Sequence, residues 1–123
     1  MSTITRRKFP IITLCGSTRF KEQFEEIQRK LTLDGFLVIS VGLFSHLEEN
    51  SEEWLDNGIK QMLDDLHKVK IRMSDAIYVI DAEQYIGSST KNEIEFANSL
   101  GLPVFYYSTG YEHNLLDLEK MKL

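Results

Sequence analysis

Residues 74–107 read SDAIYVIDAEQYIGSSTKNEIEFANSLGLPVFYY. AIYVI (76–80) is a short, continuous apolar run of the kind buried on both faces of a sheet. DAEQYIGSS (81–89) is a polar loop. Thr90 to Leu100 carries apolar residues at helical spacing and closes at Gly101, and PVFYY (103–107) is a second apolar run. Strand, loop, helix and strand in 34 residues is the repeat of a parallel α/β sheet.

The same alternation extends toward the N-terminus. IITLC (11–15) ends in Gly16, and Phe20, Phe24, Ile27 and Leu31 then fall at i, i+4, i+7, i+11, one face of a helix that stops at Asp34-Gly35. FLVISV (36–41) reads as a further buried strand. Residues 42–50 are a loop, and a long helix follows over roughly 51–73. Ser51 is its candidate N-cap, Glu52 and Glu53 suit its positive start, and Leu55, Ile59, Met62, Leu66, Val69 and Met73 are its apolar stripe. The tail, with Leu115, Leu116 and Met121, reads as a short final helix. The expected fold is one doubly wound, three-layer α/β/α domain over residues 1–123, flavodoxin- or Rossmann-like, with a mainly parallel sheet of four to five strands. Ligands of such sheets bind at the carboxyl ends of the strands, where strand order reverses. That rule selects residues 15–20, 40–46 and 81–93.

Composition narrows the partners. Fourteen basic and nineteen acidic residues among 123 give 14 − 19 = −5. A mildly acidic chain is a poor candidate for gripping a nucleic-acid backbone, which needs clustered Lys and Arg, whereas a small anion can still be held by a local positive site. Cys15 is the one cysteine, so an internal disulfide and a Cys-rich zinc site are excluded. No apolar run reaches the ~18 residues of a membrane span, and MSTITRRKFP precedes no signal-peptide h-region. A cytoplasmic, soluble protein is expected.

Three turns carry candidate chemistry. In Cys15-Gly16-Ser17-Thr18-Arg19-Phe20, Gly16 permits a tight turn, Ser17 or Thr18 caps a helix, and free amides, hydroxyls and Arg19 offer anion donors. The turn lacks the GK[ST] of a Walker loop and the GxGxxG of a dinucleotide fold. Cys15 reads as a buried strand residue, with no His or acid beside it in sequence. In the third turn Glu93 projects on the same arc as Ile94, Phe96, Ala97 and Leu100, toward the core. Two readings stay open. Thr90-x-x-Glu93 matches a capping box. Alternatively, Glu93 is a carboxylate at the floor of a cleft, kept ionised by the helix dipole as a nucleophile requires. Gly87-Ser88-Ser89 suits close approach to a sugar or phosphate. His67 lies at the edge of the long helix's stripe, beside Leu63 and Ile71. His46, after the second strand, is placed to line the cleft. His113 falls in the tail. The histidines show no HxxxH-type spacing, so neither metal nor cofactor is expected.

The Gly-Ser turn after the first strand, the strand SDAIYVI and the stretch GSSTKNEIEFANSLGLPV together resemble the nucleoside 2-deoxyribosyltransferase-like superfamily, which includes the transferases and the deoxynucleoside 5′-monophosphate N-glycosidases. The resemblance runs from about residue 11 to 107. Thr90, Glu93 and Ala97 match the family's D-x-G-T-x-x-E-x-G-x-A, in which the glutamate is the nucleophile. The family's motif aspartate is Gly87 here, its glycines are Ser89 and Glu95, and its catalytic-site aspartate eight residues before Asp75 is His67.

The resemblance implies cleavage or transfer of an N-glycosidic bond on a nucleoside or nucleoside 5′-monophosphate. Glu93 would form a glycosyl ester, and His67 would donate a proton to the leaving base. Gly16, Ser17, Thr18 and Arg19 would hold the sugar or 5′-phosphate, with Gly87, Ser88 and Ser89 as a second phosphate contact. Phe20 or Phe44 would stack on the base. It also implies a homodimer or higher homo-oligomer. The replaced carboxylates favour the alternative of a non-catalytic nucleotide sensor. A flavodoxin-like electron carrier is disfavoured by the first turn, which lacks a hydroxyl-rich phosphate loop.

Overall fold

The computed structural model describes residues 6–41 and 57–123. Four parallel strands form the sheet: β1 (Ile11–Gly16), β2 (Leu37–Ile39), β3 (Ala76–Ile80) and β4 (Val104–Tyr106), in the order β2-β1-β3-β4. The helices are α1 (Lys21–Leu33), α2 (Asn57–Arg72), α3 (Ser88–Ser99) and α4 (Tyr111–Leu118). This is the expected flavodoxin/Rossmann-like, three-layer α/β architecture. Strand order reverses between β1 and β3, which pair from Ile12↔Ala76 to Gly16↔Ile80.

The two faces follow from the period-2 alternation of buried strands. Ile12, Leu14, Tyr78 and Ile80 point toward α1 and α4 and pack with Phe24, Ile27, Leu31 and Leu118. Cys15, Ile77 and Val79 point the other way, onto Ile71 of α2 and Ala97 of α3. The α1 stripe is buried as its spacing predicts, each large side chain contributing about 1.5–3 kcal/mol. The hydroxyls of Thr13 and Ser74 both donate to Lys70 O (3.1 and 2.7 Å) and anchor the end of α2 to the sheet.

Three expectations change. The second strand is three residues, not six. It lies at the sheet edge with Leu37 half exposed, because it has only one neighbour. The stripe assigned to the long helix is not its core face. Met62, Leu66, Val69 and Met73 are 47–57% exposed, while His67 and Ile71, one line further round, are buried against the sheet. Periodicity identifies a stripe but not what covers it, and α2 carries two. In the tail, Leu116 is exposed; Tyr111, Asn114 and Leu118 face inward. Asn114 Nδ2 donates to Tyr78 OH and Tyr106 O, both at 2.8 Å. Phe44, His46, Ser51, Glu52, Glu53 and Leu55 lie outside the described residues.

Candidate active site between α2 and α3

Both α2 and α3 begin at the carboxyl edge of a parallel sheet, so their N-terminal halves flank the strand ends. Between them lies a cavity of about 560 Å³. Its described walls include Lys60, Asp64 and Lys68 from α2, and Ser88, Ser89, Asn92 and Glu93 from α3.

Gly87, in extended conformation, is the N-cap of α3, and the helix starts at Ser88. The capping-box reading therefore fails: Thr90 is a buried residue inside the helix, and Glu93 sits in its second turn. The dipole's effect falls off within the first turn. Burial dominates instead and, with Asp64 nearby, pushes the Glu93 carboxyl up to about 7. The expectation of a dipole-ionised carboxylate is corrected accordingly: near neutrality Glu93 is divided between acid and carboxylate.

At the inner end of Glu93 stand two partners far away in sequence. His67 Nε2 is 3.7 Å from Glu93 Oε2 and 3.4 Å from Cys15 Sγ. Cys15 is fully buried, as its strand position predicts, yet it has an imidazole and a carboxylate beside it in space. Burial, followed by the Glu93 charge, pushes its thiol well above the ordinary range, so it stays protonated. Burial lowers His67 to about 4, reinforced by Lys70. A histidine of that pKa is neutral at pH 7, which removes it as the imidazolium donor of the expected mechanism and leaves it as an orienting neighbour of Glu93.

The first turn is built separately. Gly16 has φ +144°, and a Cβ there would lie 2.8 Å from Ile80 O, so only glycine fits. Ser17 Oγ accepts from Arg19 N at 3.3 Å and caps the short 3-10 turn Thr18–Phe20. Arg19 stacks over Tyr85, 4.2 Å from the ring centroid. Phe20 is a core residue at 5% exposure, its ring edge-on to Tyr85 at 6.2 Å. Tyr85, delivered by a loop in which Glu83 and Gln84 both adopt positive φ, is the half-exposed aromatic here. Residues 16–20 thus meet the 81–87 loop and do not line the α2–α3 cavity, whereas Ser88, Ser89 and Glu93 do.

Asp64, Asn92 and Tyr85 have no role in the sequence reading, and Cys15 has only that of a buried strand residue. Spacing carries no signal for Cys15 and Glu93, which meet only through the β1–β3 crossover. Asp64, one turn before His67 on α2, had such a signal in its i−3 spacing. Asp81, by contrast, is structural: it accepts from Ser108 N (2.8 Å) and Ser108 Oγ (2.5 Å).

No protein-family model matches the chain, and neither a curated protein nor a solved structure matches it. The fold defines a flavodoxin/Rossmann-like α/β protein whose described site is a carboxylate-floored cavity. Among the described residues no helix is long and apolar enough to cross a membrane.

Proposed function

We propose that this protein cleaves or transfers the N-glycosidic bond of a nucleoside or nucleoside 5′-monophosphate through Glu93, as a member of the nucleoside 2-deoxyribosyltransferase-like superfamily. The observation that carries the reading is the place of Glu93. It is a mostly buried carboxylate in the floor of a nucleotide-sized cavity beside the β1–β3 switch point. In its ionised form it attacks C1′ as the base departs, forming a glycosyl ester that water or a second base resolves. His67, neutral, orients the carboxylate. The proton for the leaving base comes from solvent at the open side of the cavity.

A 5′-phosphate has a place in the same cavity. The first intrahelical bond near the start of α3 runs from Lys91 N to Gly87 O, so the amides of residues 88–90 precede the ladder at its positive end. The hydroxyls of Ser88 and Ser89 and the Lys68 side chain add donors for an anion, while Lys60 is held by Asp64 at 3.1 Å. The substrate is a monomeric nucleotide rather than a nucleic-acid polymer, in keeping with the net charge of −5.

The partner is a second copy of the chain. Met62, Leu66, Val69 and Met73 repeat at four, three and four residues, the seam spacing of paired helices, and about half of each side chain is exposed. Two such seams match each other across a two-fold axis. The seam lies on the helix that also supplies His67, Asp64 and Lys68.

The deciding experiment incubates the protein with deoxynucleosides, ribonucleosides and their 5′-monophosphates, with and without a second base, and follows free base by chromatography. Base release or exchange that disappears in Glu93→Gln is expected. Full activity in that variant refutes the mechanism. Saturable nucleotide binding without base release selects the sensor instead.

A further inference from the structure

We propose that Cys15, His67 and Glu93 form a binding site for a divalent cation of the zinc type, with a fourth coordination position open to the α2–α3 cavity. One donor comes from each of three elements: Sγ from β1, imidazole Nε2 from α2 and a carboxylate oxygen from α3. The three atoms all lie within 4.8 Å of one another, with Sγ–Nε2 at 3.4 Å and Nε2–Oε2 at 3.7 Å. Around tetrahedral zinc, bonds of about 2.3 Å to sulfur and about 2.0–2.1 Å to nitrogen and oxygen place neighbouring ligand atoms about 3.3–3.6 Å apart. The Sγ–Nε2 and Nε2–Oε2 pairs already lie within a few tenths of an ångström of those spacings, and the sulfur and the carboxylate, within 4.8 Å of each other, complete the set by a rotation of the Glu93 side chain.

The donor set also selects the metal. Thiolate, imidazole and carboxylate suit zinc and its borderline neighbours, whereas magnesium and calcium require oxygen cages. Binding displaces the Cys15 thiol proton, and the proton on Glu93 where it is present, to solvent, and the resulting thiolate and carboxylate balance the 2+ charge in a site largely closed to solvent. Glu93 is the ligand that touches the cavity, so the fourth position faces a water or a ligand there. Three protein ligands with one open position is the arrangement of reactive rather than structural zinc sites. The consequence for the glycosidic reaction rests on the reading of Glu93 as nucleophile: a carboxylate bound to metal cannot attack C1′. Metal occupancy would switch the reaction off.

The test uses the full chain stripped with chelator and titrated with cobalt(II). Cys15 is the sole cysteine, so a near-ultraviolet thiolate-to-cobalt band reports this site alone. Saturation at one equivalent, displacement by zinc, and loss of the band in Cys15→Ser are expected. Glu93→Gln and His67→Asn should keep the fold and weaken cobalt binding at least about tenfold, since changes one shell further out already cost that much. No thiolate band at millimolar cobalt, or unchanged affinity in both of these variants, overturns the site. Base release is measured separately in excess chelator, where it should be maximal, and one equivalent of zinc should lower it at least about tenfold. Failure of cobalt binding with base release intact refutes the metal site and leaves the nucleophile standing. Cobalt binding without base release under chelator does the reverse.

Discussion

His67 Nε2 and Glu93 Oε2 lie 3.7 Å apart with side chains only 10% and 18% exposed, a histidine and a glutamate held together where neither is easily charged. Burial moves them in opposite directions, the imidazole down to about 4 and the carboxyl up to about 7. Near pH 7 the pair carries about half a negative charge, and its protonation governs both stability and the proposed chemistry.

Stability should therefore fall from both sides. Glu93 binds its proton more tightly folded than unfolded, so its contribution is full below about pH 4.5 and is lost as pH rises through about 7. His67 binds its proton less tightly when folded, so its contribution is full above about 6.5 and is lost as pH falls through about 4. Relative to wild type, Glu93→Gln should gain stability as pH rises from about 4.5 to 7, by at most a few kcal/mol. Denaturant midpoints across that range measure it. A pH-independent difference would show that the carboxyl titrates as it does in water.

In excess chelator, with no metal on Glu93, the proposed nucleophile also sets a pH profile. Only ionised Glu93 attacks, so kcat should rise with pH through about 7 and level off above it. Glu93→Gln should reduce kcat by at least about 10³-fold. A rate that declines through pH 7 would assign Glu93 the role of acid instead.

Ser88→Asp sets a carboxylate at the start of α3, in the wall of the cavity. It should raise KM for a nucleoside 5′-monophosphate at least about tenfold and leave the nucleoside unaffected, since only the phosphate is repelled. Lys68→Ala should shift KM in the same direction. Steady-state kinetics on both substrates distinguishes this from a general loss of folding, which would lower the apparent kcat on both and leave KM unchanged.

Leu66→Glu places a charge in the middle of the exposed α2 seam, facing away from the sheet. Light scattering should show a dimer for the wild type and a monomer for the variant, with the far-ultraviolet spectrum unchanged. A wild-type monomer would remove the second copy as partner of this face.

Gly16→Ala tests the turn that ends β1. The new methyl would meet Ile80 O at 2.8 Å on a backbone with φ +144°. The cost should be about 2–4 kcal/mol, read from thermal or denaturant unfolding.

The layered fold was legible in the chain because its signals are local. Apolar runs at 11–15, 76–80 and 103–107, separated by helical spacing and closed by glycines, leave few arrangements other than a parallel sheet covered on both sides. The inward projection of Glu93 was legible for the same reason, since helical angle is set by residue number. Where α3 starts was not, because Gly87 begins the helix through backbone conformation alone, without a side-chain cap. Which stripe of α2 meets the sheet was also hidden, because burial depends on a partner surface contributed by residues distant in sequence. The meeting of Cys15, His67 and Glu93 belongs wholly to the tertiary structure: the β1–β3 pairing and the packing of α2 and α3 on one face bring three separated positions together. Burial there, not residue type, decides that the thiol stays protonated, the imidazole stays neutral and the carboxyl is poised near pH 7.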